Sequence, residues 1–366
     1  MRRVISLLCV VFAFFSSPAD EPAPHPQPQS VTLAAVGDNL IHDVIYQQAY
    51  TNGKYDFKPL YSRVERLISD FDIAFINQET PMHPGRPLSN YPNFNTPIEM
   101  AANLAELGFD VVGFSNNHVF DMGIDGFSET MNLINNTEGL LLTGAWKDKA
   151  AQEQIPLIEK NGITLAFLAF AEYTNLPRPA GAADMLCYTN ERENVSRLVN
   201  LARDSADVVV VSVHWGNENT TSPTAAQREF AAFLAGLNVD VVLGTHPHVL
   251  QPLERLTKAD GGEMLVYYSL GNFISAQAGP ANLIGGIASV TFTREAEGED
   301  VKITGDSFIP VVTHYSASYR GLSLYPLSDY SDALAQSHGI RTWRGYDFSI
   351  EYIEKLLGGI GLYPQK

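Results

Sequence analysis

The chain is short of cysteine and of positive charge, and each shortage narrows what it can be. Of 366 residues two are cysteines and 24 are Lys or Arg, against 41 Asp or Glu, for a formal net charge of −17. No block of Lys and Arg stands out and the pI is near 4.9, which excludes the basic footprint that nucleic-acid binding needs. Cys9 lies in an apolar leader, so loss of that leader leaves Cys187 alone and an intramolecular disulfide impossible. Also absent are a Gly-rich phosphate loop, a Gly-x-Ser-x-Gly elbow and a cysteine cluster for zinc. What remains is an ordinary globular composition, 45% hydrophobic and 18% charged, long enough for one large core with or without an appendage. An acidic enzyme acting on an anionic substrate would need cations at its site, and bound metal could supply them.

The amino terminus reads as an address. Arg2 and Arg3 precede the apolar stretch Val4 to Phe15, followed by Ser16-Ser17-Pro18-Ala19. A charged region, an apolar region and a small-residue cleavage site predict a signal peptide over residues 1–19, cut after Ala19. The stretch is shorter than the roughly 20 residues that span a bilayer, so the membrane is met only through this segment if it stays uncleaved. Export to the periplasm, the cell surface or the medium is therefore expected. Residues 20–30, with Pro22, Pro24, Pro26 and Pro28, read as an extended tether. A domain over residues 31–315 and a carboxyl-terminal extension over 316–366 that packs on it complete the expected plan.

From Val31 strands and helices alternate. Helical periodicity marks Pro59–Ser69, Pro97–Leu107, Gly126–Asn135, Glu191–Ser205 and Thr224–Leu237. Such alternation implies βαβ units and a mainly parallel sheet. Ile155–Glu159 and Thr164–Ala171, joined by Asn161-Gly162, predict a hairpin with a type I′ turn. Gly262–Gly271, Gly286–Arg294 and Val301–Val312 predict further strands that could form a second sheet, and Ile350–Leu357 a short amphipathic helix.

Five buried-strand patterns each stop at a residue able to bind metal or move a proton. Val31–Val36 leads to Asp38, Phe71–Ile76 to Asn77 and Glu79, and Phe109–Phe114 to Asn116-Asn117-His118. Val208–Val213 leads to His214, and Val239–Leu243 to Gly244-Thr245-His246-Pro247-His248. Ligands gather at strand carboxyl ends in α/β sheets, so the five endings point to one metal site collected across a sheet. Taken singly each has an ordinary explanation. His246 and His248 could be loop histidines, His214 a satisfied core residue, Asn116-Asn117 a turn, Asp38 and Glu79 helix caps or solvated charges. In an extended segment His246 and His248 would share a side and hold one metal, or one each of a pair. His118 beside Asp121 has the composition of a general acid whose tautomer a carboxylate holds. A carboxylate such as Asp38 or Glu79 can bridge two cations about 4 Å apart. His42, four residues past Asp38, could reach the site, and Trp215 reads as one of its walls.

At these residues the chain resembles the CapA family of poly-γ-glutamate capsule biosynthesis proteins. The matching segments are Gly37-Asp38, Asn77-Gln78-Glu79, Ser115-Asn116-Asn117-His118 with Asp121 and Gly123, His214-Trp215-Gly216 with Glu218, Gly244 through Pro252, and Tyr268 through Phe273. That family is similar to the calcineurin-like metallophosphatases. The resemblance implies an α/β sandwich of two sheets flanked by helices, four layers in the order αββα, with a two-metal site on strand ends. Carried over by position, Asp38 and His248 would hold one metal, Asn117, His214 and His246 the other, and Glu79 would bridge. Two divalent ions are implied, and Mn, Fe and Zn all suit mixed N and O ligands. The metallophosphatase pattern Asp-x-His has Leu40 where its histidine belongs, and its bridging aspartate is here Glu79. The implied chemistry is attack by a metal-bound hydroxide on a phosphoester or γ-glutamyl bond, with His118 as acid and an anionic surface polymer as substrate. The alternative is a non-catalytic metal-binding component of a polymer synthesis or export machine.

Overall fold

The computed structural model describes residues 28–362. The expected signal peptide lies outside them, and the first strand already begins at Gln29, inside the expected tether. Two sheets carry the fold. The first has eight strands and runs, from one edge, Ser323–Pro326, Lys302–His314, Ile284–Arg294, Gln29–Asn39, Ile73–Gln78, Val111–Gly113 and Leu141–Thr143, with Asn272–Ile274 also on Gln29–Asn39. The second has six, in the order Leu250–Thr257, Glu263–Leu270, Val241–Thr245, Val208–His214, Ile163–Ala171 and Leu157–Lys160.

Alternation along each strand builds the layers. In the first strand Val31, Leu33 and Ala35 point between the sheets, where they meet Leu165, Phe167, Val210, Leu243 and Tyr267. Ala34 and Val36 point the other way, into a core shared with the helices Glu99–Glu106 and Gly123–Asn135. Val209, Val211 and Val242 are covered on the opposite side by Val195, Leu198 and Val199 of the helix Arg192–Ser205 and by Phe230 and Leu234 of the helix Ala225–Gly236. Helix, sheet, sheet, helix: the chain adopts the four-layer α/β sandwich. Beyond residue 315, Tyr330, Ile340, Phe348, Ile353 and Leu357 join the outer core of the first sheet. Among the described residues no helix is long and apolar enough to cross a membrane.

Three expectations change. The helix over Pro59–Ser69 is two short pieces, Lys58–Tyr61 and Arg66–Ser69. The late strands do not make a sheet of their own. Glu263–Leu270 runs parallel to Val241–Thr245 in the second sheet, whereas Ile284–Arg294 and Lys302–His314 extend the first antiparallel from Gln29–Asn39. The five informative strand ends are therefore divided, three in the first sheet and two in the second. The hairpin turn is as expected, with φ of 52° at Asn161 and 79° at Gly162, the left-handed pair of a type I′ turn.

Candidate metal centre

Close backbone crossings bring the two sheets' carboxyl ends together. A Cβ at Gly37 would lie 1.9 Å from the carbonyl oxygen of Gly271, and one at Gly244 would lie 2.0 Å from that of Tyr268. Only glycine permits these approaches. Asp38, next along, donates its N–H to that same Gly271 oxygen at 3.0 Å, which fixes where its carboxylate emerges. The His246-Pro247-His248 segment is not extended. His246 has φ 91° and His248 φ 58°, so the chain coils after Thr245 and both rings turn inward, 5.7 Å apart between centroids. The rings of His214 and His246 are 4.7 Å apart.

Glu79 sits at the middle of this cluster. It is fully buried, and neither carboxylate oxygen has a hydrogen-bond partner. Its Oε1 is 3.7 Å from Nε2 of both His214 and His248. Two sets of ligand atoms lie within 4.8 Å of one another, Glu79 with His246 and His248, and Glu79 with Asp38 and His214. Glu79 is common to both, as a bridging residue would be. Asn117 approaches from the first sheet, with its Oδ1 2.9 Å from His214 Nε2.

The surrounding groups settle which atoms are left over. His214 Nδ1 faces Thr245 Oγ1 at 2.9 Å, its neighbour across the strand pair. His248 Nδ1 lies 3.0 Å from both Asp38 Oδ2 and Asn272 Oδ1, leaving Nε2 toward Glu79. His246 Nε2 meets the Tyr173 hydroxyl at 2.6 Å, and its Nδ1 is buried without a partner. Asp38 also accepts from Asn77 Nδ2 at 2.8 Å and from the His246 N–H at 3.2 Å, so it orders the loop besides offering an oxygen.

The electrostatics suit a positive charge among these side chains. Burial, then the Asp38 carboxylate, then Glu218 push the Glu79 carboxyl well above its ordinary range. Burial, then His246 and His248 push His214 well down, and burial followed by His248 brings His246 to about 3. An acid that resists ionising stands among imidazoles that resist protonation. A divalent cation would favour the carboxylate and the neutral ring lone pairs together. The donor set thus fits a metal ion.

His118 stands beside the cluster. Its Nδ1 lies 2.7 Å from Asp121 Oδ2, an oxygen that also accepts the Phe94 N–H at 2.8 Å. Asn175 Nδ2 is 3.4 Å from His118 Nε2. His42 falls in neither ligand set. Its Nδ1 accepts the Ala276 N–H at 3.3 Å, its ring meets Phe94 edge-on, and burial is the main reason its pKa is about 4. Leu40 is buried and leaves no ligand in the missing histidine's place. Trp215 is not a wall of the centre. It alternates away from His214, donates Nε1 to the Tyr268 oxygen at 2.9 Å and stacks in the helix-covered core. Sequence reasoning missed Tyr173, Asn175 and the partner role of Asn272. Tyr173 and Asn175 follow Ile163–Ala171, a sixth strand, parallel to Val208–His214 with Ala171 opposite His214. Its hairpin partner disguised it as a strand apart from the site.

The sequence signature described as "Bacterial capsule synthesis protein PGA_cap" matches residues 32–277. The chain belongs to that family. Asp38, Glu79, Asn117, His118, Asp121, His214, His246 and His248 all fall within the matched part, whereas residues past 277 lie outside it. The PGA biosynthesis protein CapA of Bacillus subtilis (strain 168) is 27% identical over 224 residues, 60% of this chain and 57% of its own. The capsule biosynthesis protein CapA of Bacillus anthracis is 25% identical over 266 residues, 70% of this chain and 62% of its own. The family member described here thus spans about three-fifths of these relatives' length.

Proposed function

We propose that this PGA_cap family member is an exported, metal-dependent hydrolase or transferase acting in capsule or surface-polymer biosynthesis. One observation carries the reading, the fully buried Glu79 carboxylate with both oxygens unpartnered among His214, His246 and His248. The relatives' names, for PGA and capsule biosynthesis, support the polymer. Two divalent ions, Mn, Fe or Zn, would activate water near neutral pH and polarise the bond to be cleaved. Asp38, Glu79, Asn117, His214, His246 and His248 would hold them. The chain's own contribution is orientation. Asp38 and Asn272 fix the His248 ring, Thr245 that of His214, and Tyr173 that of His246. Asp121 holds the proton on His118 Nδ1 when the ring is charged, and Nε2 then delivers its own to the leaving group. The substrate is an anionic surface polymer or a phosphoester or γ-glutamyl compound, and capsule synthesis machinery is the partner.

A second reading has one observation in its favour. Leu40 replaces a histidine and His42 does not take its place, as expected if the centre only binds or braces polymer for a synthesis complex. Elemental analysis of the mature protein with a phosphodiester and γ-glutamyl panel separates the two. Bound metal, turnover and an about 10²-fold or greater loss in His118→Ala support the enzyme. Two equivalents of metal without turnover, and no effect of His118→Ala, would reject it.

A further inference from the structure

The segment that follows the strand Ile163–Ala171 crosses from the candidate ligands of one sheet to those of the other. At its start the Glu172 N–H donates to the His214 oxygen at 2.8 Å, and the Glu172 carboxylate accepts the Gly216 N–H at 2.7 Å. Three residues on, the Asn175 N–H donates to the Asn117 oxygen at 2.8 Å. Both ends of this short crossing are thus tied to backbone that carries candidate ligands. Asn175 is exposed, whereas Asn117 and His118 beneath it are buried. Its side chain meets both. Asn117 Nδ2 donates to Asn175 Oδ1 at 3.3 Å, and Asn175 Nδ2 lies 3.4 Å from His118 Nε2 and 3.5 Å from His118 Nδ1. Among the described residues no other hydrogen bond reaches Asn117 Nδ2. The two ends of a side-chain amide are nearly the same size and only the oxygen can bind a cation, so hydrogen-bond partners decide which end faces a metal. With Nδ2 held by Asn175, Oδ1 is the end that Asn117 turns toward His214 Nε2, at 2.9 Å. The Asn175 amide is oriented in its turn by His118. Asp121 lies 2.7 Å from Nδ1 of that ring, so in the neutral form Nε2 carries the lone pair that an amide N–H can approach.

We propose that Asn175 is a positioning residue of the metal centre, whose Oδ1 holds the Asn117 amide so that its oxygen, and not its nitrogen, is presented to the cation. The proposal rests on the reading of the centre as metal-binding. It makes Asn175 the joint between a candidate ligand and the candidate acid, since one side chain touches Asn117 and His118 together. Groups that orient a ligand typically contribute 10- to 100-fold in metal affinity. Asn175 is exposed and its hydrogen bond competes with water, so its effect belongs at the lower end, about 10-fold.

The test is the zinc affinity of the whole chain, stripped of metal and titrated in competition with a chromophoric chelator. Asn175→Ala is expected to weaken zinc binding about 10-fold and to leave the urea midpoint in excess chelator unchanged. Asn175→Asp keeps an acceptor for Asn117 Nδ2 and should restore the affinity. Because Asp also adds charge, Leu176→Asp in the Asn175→Ala protein supplies that charge at the exposed neighbouring residue without the acceptor, and should not restore it. In an Asn117→Ala background Asn175→Ala should cost nothing more, since the second residue acts through the first. Wild-type affinity in Asn175→Ala would overturn the proposal. So would equal rescue by the neighbouring Asp, or equal costs of Asn175→Ala with and without Asn117. A wild type that binds no zinc would remove the centre itself and this role with it. Turnover of a small phosphodiester is measured separately. Its absence alongside the expected affinities would reject the catalytic reading and leave the positioning role standing.

Discussion

Replacing Glu79 by Gln keeps the shape of the side chain and removes its charge, so it isolates the electrostatic position of the centre. In metal-stripped protein the Glu79 carboxyl is pushed well above 4.5, first by burial and then by Asp38. Between 4.5 and that higher native value the folded form holds a proton that the unfolded form has lost. Stability from this group is therefore complete below the unfolded pKa and is lost as pH rises through the window. The loss is at most about 1.4 kcal/mol per pH unit. Gln cannot titrate, and the histidine contributions largely cancel between the two proteins. Urea unfolding in chelator at about pH 5 and about pH 6.5 should thus show wild type losing ground to Glu79→Gln as the pH rises, with about 2 kcal/mol as the ceiling over that interval. Added Mn or Zn should reverse the order, because a ligand at 100 times its dissociation constant stabilises by about 2.7 kcal/mol and the variant binds it poorly. A difference that does not change with pH in chelator would show that the carboxylate is hydrated or paired. Equal stabilisation of both proteins by metal would remove Glu79 from the ligand set.

Three further outcomes are expected. Tyr173→Phe removes the 2.6 Å contact that orients His246, and metal affinity from chelator competition should fall about 10- to 100-fold with little change in folding; unchanged affinity would make the contact incidental. Gly37→Ala places a Cβ 1.9 Å from a backbone oxygen, so denaturant unfolding should show a loss of about 1–3 kcal/mol or more, and a neutral substitution would mean the crossing is looser than described. His314 and His338, buried under the carboxyl-terminal segment, are each brought to about 4, chiefly by burial. A folded pKa below the unfolded 6.5 gives stability that is present above pH 6.5 and lost as pH falls toward 4. Chelator-treated protein should lose up to about 1.4 kcal/mol per pH unit from each ring, and replacing His338 by Gln should flatten that profile.

Much of the candidate centre was legible because the residues that line it end apolar runs. Val208–Val213 followed by His214 can be read without coordinates, since a buried β-branched run that stops at an imidazole is informative by itself. The same holds for Asn116-Asn117-His118 and for the pairing of His118 with Asp121, three residues on. What misled was locality. An expectation of extended backbone placed His246 and His248 on one side, whereas positive φ at both residues turned them in. Trp215 looked like a wall because it adjoins His214, and strand alternation sends it to the opposite face. Tyr173 carried no local signal, for its role depends on a strand that pairs across the sheet.

The sequence by itself determined that candidate metal ligands would stand at strand ends, which residue types would supply them, and that the protein would be acidic. Those are properties of composition and of periodicity two along a strand, both written in neighbouring residues. Only the tertiary structure decided that the endings come from two sheets, that both oxygens of buried Glu79 are left without a hydrogen-bond partner, and that His246 and His248 turn inward beside it. Each of these depends on which long-range surfaces cover one another. In the first strand Val31, Leu33 and Ala35 face one core and Ala34 and Val36 another, so both faces are apolar and its pattern cannot name its partners. The packing of both faces makes that choice, and with it brings together residues as far apart as Asp38 and His248.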